Sequence, residues 1–181
     1  MTYHDGKIYE STGGFQGDSQ VRIINPTNGT EIYRNISLAN DVFGEGLTYF
    51  TDSEGNPRLL QLTWKNQIGY VYDLDLNLIR EFKYETISKE GWGVTYNMMK
   101  EEFIVSDGTS MLYMWDRDTL EETRRVNVTL TWADANGTLT TEALSYLNEL
   151  EFWNEQVLAN LWYSGDYIVA INPDTGLVTK R

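Results

Sequence analysis

The fold is decided by a segment that reads GYVYDLDLN, residues 69–77. It joins an alternating run of aromatic and β-branched residues, which is typical of a strand, to a cluster of Asp and Asn that favours a tight turn. The same order of strand and turn occurs in VRIINPTNG, LYMWDRDTL and YIVAINPDTG, which begin at Val21, Leu112 and Tyr167. The four turns recur roughly every 45 residues, the spacing expected of four-stranded propeller blades.

The rest of the chain follows the same strand pattern, and helical periodicity is nearly absent. The best helical candidate, residues 141–150, is interpreted as a loop with at most a short helical turn. The last interval between turns is the longest, and its excess falls in the Asn/Gly/Thr-rich residues 132–145, which we interpret as a loop inserted on one face. The sequence therefore predicts an all-β fold: one β-propeller domain over residues 1–181 with about four blades. An irregular β-sandwich is the alternative.

Composition and charge exclude several classes of function. The chain has 14 Lys and Arg against 27 Asp and Glu, a net charge of −13, so its surface repels phosphate and we expect neither nucleic acid nor a membrane as a partner. It has no cysteine, and its single histidine, His4, excludes multi-histidine metal sites. No apolar run reaches membrane-spanning length, and no signal-peptide core is found. We expect no metal and no cofactor.

The tightest local motif is FGEGLT, residues 43–48, in which Glu45 lies between two glycines. Glycine lets a neighbouring backbone or a ligand approach closely, because it has no Cβ. A carboxylate desolvated among aromatic rings has a raised pKa and can move a proton near neutral pH. The alternative is an ordinary glutamate in a loop before a strand.

Three tryptophans, Trp64, Trp92 and Trp162, occur at similar places in successive units. On the innermost strands of a propeller they would form an apolar pocket with a few N–H donors. The alternative is packing between blades, which fits Trp92 least because its flanking glycines leave the indole poorly packed. Asn148 carries an amide that suits recognition of a substrate amide, or it is part of a polar turn into a strand.

Seven segments occur together in the order found in plant- and bacterial-type glutaminyl cyclases, and the chain resembles that family over nearly its whole length. They are YHDGKIYESTG, FGEGLT, QLTWK, EGWG, SDG, LNELE and ANLW, which begin at residues 3, 43, 61, 90, 106, 147 and 159. The resemblance implies a five-bladed propeller that cyclises the N-terminal glutamine of peptides or proteins to pyroglutamate, without a metal and with release of ammonia.

The same resemblance implies a role for six side chains. Glu45 would be the general acid and base, Asn148 would bind the substrate, and the pocket walls would be aromatic. The implied walls are Phe43, Trp64, Trp92 and Trp162.

Two family features have no counterpart in this sequence. They are a Phe-Thr-Gln-Gly segment before the region of Tyr3 and a further blade that carries a late lysine, so we expect the chain to correspond to about four-fifths of the family fold. A non-catalytic propeller that binds peptides or partners is the alternative, and open sheet edges favour oligomers. Secretion or periplasmic export is suspected from the resemblance and from glycosylation sequons at Asn28, Asn35, Asn127 and Asn136, although no signal peptide is found.

Overall fold

The computed structural model describes residues 1–163 and 167–181, and within these ranges every regular element is a β-strand. The described part of the chain therefore contains no helix that could cross a membrane. Blade 1 is formed by β1 (Thr2–His4), β2 (Lys7–Thr12), β3 (Gln20–Asn25) and β4 (Asn28–Ser37). Blade 2 is formed by β5 (Gly44–Thr51), β6 (Pro57–Thr63), β7 (Ile68–Tyr72) and β8 (Leu78–Lys83).

The second half of the chain repeats this architecture after an insertion. Blade 3 is formed by β9 (Val94–Asn97), β10 (Glu102–Ser106), β11 (Met111–Asp116) and β12 (Glu122–Asn127). A separate hairpin follows, with β13 (Thr129–Ala133) and β14 (Leu139–Ala143). Blade 4 is formed by β15 (Leu147–Trp153), β16 (Gln156–Leu161), β17 (Ile168–Ile171) and β18 (Val178–Lys180). All neighbouring strands within a blade are antiparallel, so the all-β, four-blade prediction is confirmed.

Each predicted turn joins the third and fourth strands of a blade. In every case the side-chain oxygen of the first turn residue accepts a hydrogen bond from the backbone N–H two residues later, at 2.9 to 3.0 Å. The four residues are Asn25, Asp73, Asp116 and Asn172. The turn chemistry that defined the repeat in the sequence therefore ends the third strand in all four blades.

The core lies between blades rather than within them. Adjacent residues of a strand point to opposite faces of its sheet, so one strand can serve two cores. In β10, Phe103 and Val105 pack in the cluster between blades 2 and 3, whereas Ile104 packs in the cluster between blades 3 and 4. Leu59 and Leu60 divide in the same way on β6, toward blades 1 and 3. This alternation stacks the blades face to face.

The insertion differs from its prediction. The structure places a hairpin of two five-residue strands where we expected a loop, with Thr131 opposite Thr141 and their hydroxyl oxygens 2.7 Å apart. The loop expected over residues 141–150, with at most a short helical turn, is also wrong, because residues 141–143 end β14 and residues 147–150 begin β15. Threonine is β-branched and favours strands, while Asp134 to Gly137 supply only the turn.

The innermost strands bring one end of each blade together. Strands β5, β9 and β15 pack side by side, and β1 and β2 pack on β5. Because the strands of a blade are antiparallel, the start of each innermost strand lies beside the end of the second strand. The side chains at these two positions therefore meet at one end of the propeller, where the candidate site lies.

Candidate active site

Glu45 is held at the start of β5 by the two glycines beside it. The pairing of β5 with β6 shifts register between Gly44 and Leu47, so Glu45 lies in an irregular part of the ladder. A Cβ on Gly44 would lie 2.8 Å from the Thr12 carbonyl oxygen of blade 1. A Cβ on Gly46 would lie 2.7 Å from the Trp92 carbonyl oxygen, which accepts a hydrogen bond from the Gly46 N–H at 2.8 Å. The glycines thus let two neighbouring blades approach the strand that carries Glu45.

All six side chains that the resemblance implied line one cavity of about 600 Å³. They are Phe43, Glu45, Trp64, Trp92, Asn148 and Trp162. Glu10, Ser11 and Glu149 line the same cavity, as does Tyr163. None of these four side chains was predicted as a site residue. A cavity of this volume is large enough for an amino-acid side chain with its backbone.

The aromatic wall is built from edge-to-face contacts. The rings of Phe43 and Trp64 are in T-shaped contact with centroids 5.5 Å apart, and Phe15 packs on both rings. On the other side Trp162 makes a T-shaped contact with Tyr163 at 5.7 Å, and its side chain is half exposed at the rim. Phe15 was missed in the sequence because it lies in a turn region, 28 residues before Phe43, whose ring it contacts.

The tryptophans do not lie on the innermost strands as expected. Trp64 and Trp162 directly follow second strands, β6 and β16, and Trp92 precedes β9. Two of the N–H donors expected in this pocket are already engaged, because the indole N–H groups of Trp64 and Trp92 both donate to Glu90 at 2.8 Å. Trp64 and Trp92 therefore present apolar faces to the cavity, while their N–H edges are already paired.

The indole of Trp92 is better packed than the sequence indicated. A Cβ on Gly108 would meet the Trp92 ring at 2.6 Å, so the ring lies directly on that glycine. The flanking glycines serve their own neighbours: a Cβ on Gly91 would collide with the Tyr84 hydroxyl, and one on Gly93 with the Asn148 carbonyl oxygen. The Gly-Trp-Gly segment is thus a place of close approach between blades 2, 3 and 4.

The pKa of Glu45 is raised to about 8. Burial is the largest cause, and the negative charges of Glu149 and Glu90 add to it. Among the described residues no donor is hydrogen-bonded to the Glu45 carboxylate, so no such bond offsets the loss of water around its charged form. At neutral pH this carboxyl exchanges readily between its acid and base forms, which is what a proton carrier requires.

Glu149 adds a second carboxylate to the cavity. It follows Asn148 on β15, and its Oε1 accepts a hydrogen bond from the Met1 ammonium at 2.8 Å. Both Asn148 and Glu149 are half-buried, so the cavity offers an amide beside a carboxylate. The sequence signal was present in their adjacency, but nothing in the pattern showed that both would reach the cavity.

The remaining motifs have structural roles. Asp107 caps its own turn by accepting a hydrogen bond from the Thr109 N–H at 3.1 Å. His4 stacks on Tyr49 with ring centroids 4.0 Å apart and is not part of the cavity lining. Within residues 1–163 and 167–181, no group of three or more His, Cys, Asp or Glu side chains is arranged to hold a metal ion.

Comparison with known proteins adds an independent line of information. The family described as glutamine cyclotransferase matches residues 1–181. A glutaminyl-peptide cyclotransferase from Arabidopsis thaliana is 37% identical over 171 residues, which cover 93% of this chain and 47% of that protein. The crystal structure of the Myxococcus xanthus glutaminyl cyclase superposes with a TM-score of 0.76 at 29% identity, covering 97% of this chain and 65% of that one.

A more distant match supports the fold alone. The WD40 β-propeller domain of Doa1 superposes with a TM-score of 0.62 at 9% identity, covering 98% of this chain and 50% of that one. The chain thus spans about half the length of the Arabidopsis relative and just under two thirds of the Myxococcus chain. Because the family matches along the entire sequence given, and the relatives agree with it, this chain belongs to the glutamine cyclotransferase family.

Proposed function

We propose that the cavity binds the N-terminal glutamine of a peptide or protein and converts it to pyroglutamate with release of ammonia. The observation that carries the proposal is the Glu45 carboxyl, which lies in a cavity walled by indole rings and has its pKa raised to about 8. Family membership supports the same reaction. The proposed chemistry uses only side chains of this chain.

Binding is proposed to fold the glutamine back on itself. The apolar faces of Phe43, Trp64 and Trp92 pack against the side-chain methylenes, and the Asn148 amide pairs with the side-chain carboxamide. This arrangement brings the α-nitrogen close to the carboxamide carbon. Much of the barrier to ring closure is removed by such orientation, because the two reacting groups already belong to one molecule.

Glu45 is proposed to carry the proton between two nitrogens. The α-ammonium of a peptide has a pKa of about 8, close to that of Glu45, so the neutral α-amine and the Glu45 carboxylate are both accessible near neutral pH. The ammonium first loses one proton to solvent. The neutral α-amine then forms a bond with the carboxamide carbon and gives a second proton to the Glu45 carboxylate. The protonated Glu45 then gives a proton to the side-chain nitrogen as its bond to that carbon breaks. The products are a pyroglutamyl peptide and ammonia, and Glu45 is restored.

The test is incubation with a glutamine-initiated peptide, followed by mass spectrometry and an ammonia assay. The wild type is expected to release one ammonia per peptide, and Glu45→Gln is expected to lower kcat by about a hundredfold to ten thousandfold, because general acid–base catalysis is lost. Glu54→Gln is the matched control, since Glu54 is exposed and lies in the turn between β5 and β6.

Two outcomes would contradict the proposal. Equal activity of the wild type and Glu45→Gln would show that Glu45 does not carry the proton. A change in tryptophan fluorescence on adding the peptide, with no ammonia released by the wild type, would instead identify a non-catalytic peptide-binding propeller.

A further inference from the structure

One carboxylate outside the cavity lining connects two of its walls. Oε2 of Glu90 accepts the indole N–H of Trp64 and the indole N–H of Trp92, both at 2.8 Å. Trp64 belongs to blade 2, whereas Trp92 leads into blade 3. A single oxygen therefore joins side chains that lie on two blades.

This arrangement restrains both rings. An indole has one polar atom, which is a donor only, so pairing that atom fixes how far the ring can rotate. Hydrogen bonds to a charged acceptor are about twice as strong as neutral ones. Lys65 lies over the Trp64 ring, 3.8 Å from its centroid, and its ammonium is 4.0 Å from Glu90 Oε1. The Glu90 carboxylate, the Lys65 ammonium and the Trp64 ring thus form one cluster behind the cavity wall.

The backbone of Glu90 is itself fixed by its loop. The Thr86 hydroxyl donates to the Glu90 carbonyl oxygen at 2.7 Å, and the Glu90 N–H reaches the Ser88 hydroxyl oxygen at 3.2 Å. Ser88 is in turn held by Asp107, whose backbone carbonyl oxygen accepts its hydroxyl at 2.8 Å and whose carboxylate accepts its N–H at 3.1 Å. Asp107 is fully buried and also accepts the Tyr113 hydroxyl. The position of Glu90 is therefore set by buried parts of blade 3.

We infer that Glu90 is a positioning residue for the cyclisation: it holds the Trp64 and Trp92 rings in the orientation that walls the substrate beside Glu45. This inference rests on the proposed function, because the rings are thought to bind the glutamine side chain. Glu90 does not line the cavity, so it acts through the two rings.

The charge of Glu90 has a second effect that can be separated from the first. Glu45 faces Glu149 on β15 and Glu90 in the loop before β9, and both charges raise its pKa. Burial raises the pKa of the Tyr84 hydroxyl, and the negative charge of Glu45 adds to this shift. Glu10 on β2 lines the same cavity. The nearby cations, the ammonium groups of Met1 and Lys65, lie against Glu149 and Glu90 respectively.

The two effects can be separated because both indoles donate to the same oxygen. A glutamine at position 90 keeps an oxygen acceptor and removes the charge, whereas a leucine removes both. Glu90→Gln and Glu90→Leu in the full chain therefore form a matched pair.

Three readouts are compared, each with a distinct expectation. The first is kcat/KM, which is expected to fall by about tenfold to a hundredfold in Glu90→Leu and to stay within about threefold of wild type in Glu90→Gln. The second is the acid limb of the pH–rate profile, which is expected to move to lower pH in Glu90→Gln because one repulsive charge near Glu45 is gone. The third is the NMR signal of the indole N–H protons of Trp64 and Trp92, which shifts upfield in Glu90→Leu alone, because only that variant loses the acceptor.

The NMR readout needs no turnover, so it separates this inference from the proposed function. Ammonia release by the wild type tests the function, and the indole signals test the positioning. Wild-type kcat/KM in Glu90→Leu would overturn the inference, as would equal losses in both variants or unchanged indole signals in Glu90→Leu. If Glu90→Leu does not fold, Glu90→Ser replaces it, since serine is too short to reach either indole.

Discussion

Carboxyl groups at the two ends of the propeller have pKa values shifted in opposite directions. At the end where the third and fourth strands of each blade are joined, the turn end, the backbone N–H groups of Thr119 and Asp118 hold the pKa of Asp116 below its usual value. At the site end, burial and two neighbouring carboxylates raise the pKa of Glu45 to about 8. The same sheets therefore stabilise a charged carboxylate where the chain turns and a neutral carboxyl where the cavity lies. A carboxyl group whose charged form is disfavoured in this way opposes folding at neutral pH, which is typical of a functional site.

The largest effect that would test this comparison is the pH dependence of stability. Below pH 4.5 Glu45 is protonated in both the folded and the unfolded chain, and between pH 4.5 and about 8 only the folded chain keeps the proton. The free energy of unfolding of the wild type is thus expected to fall, relative to Glu45→Gln, by up to about 5 kcal/mol across that window. Urea unfolding of both proteins from pH 4 to 9 measures this difference. A constant difference at all pH values would contradict it.

Alanine substitution of one glycine at each end is expected to give a smaller difference in stability. Gly46→Ala is expected to destabilise the fold by about 2 to 3 kcal/mol, because its Cβ would meet rigid backbone atoms at 2.7 Å. Gly55→Ala is the control at the turn end, where φ is +84° and no atom lies within 4 Å of the new Cβ, so only the left-handed backbone disfavours it, by about 1 kcal/mol. Denaturant midpoints of the two variants give the comparison, and equal losses would show that close approach at Gly46 does not matter.

The smallest effect concerns the turn end alone. Asp116→Ala is expected to cost about 1 kcal/mol at pH 7, since the side chain caps two backbone N–H groups at 2.8 and 3.0 Å. Because the folded pKa is lowered, this contribution is present above about pH 4 and is lost as the pH falls through the folded pKa. Asp116→Asn keeps the acceptor oxygen and is expected to retain most of the stability at pH 7. Thermal melts at pH 7 and pH 3 test both variants.

The sequence predicted those features that depend on local chemistry. The turns at Asp73 and Asp116 could be recognised because an Asx turn needs only neighbouring residues. Four such turns at a nearly regular spacing along the chain indicated the blades. Glu45 could be selected because glycines flank it on both sides. The inserted hairpin was missed because Asn and Gly at its tip outweighed the threonines of its strands, which only pair once the turn has formed.

The role of Glu90 could not be read in the same way. Its carboxylate oxygen accepts a hydrogen bond from the indole of Trp64, 26 residues away in sequence, and that bond depends on how two blades stack. Glu149 was missed for a similar reason, since regular strand alternation would place its side chain on the other face of the sheet from Asn148. An irregularity in the pairing of β15 with β16, between Leu147 and Leu150, changes the local geometry there, and both side chains line the cavity.

Glu45 lies between two glycines that each contact a neighbouring part of the propeller. Gly44 touches blade 1 and Gly46 touches the segment that leads into blade 3, so the carboxyl follows the spacing of three consecutive blades. A small slippage between any two of them displaces this group while leaving nearly all buried area intact. Under the proposed mechanism, turnover is therefore more sensitive to the spacing of the blades than the melting temperature is. Substitutions in distant layers between blades are then expected to slow catalysis before they lower stability.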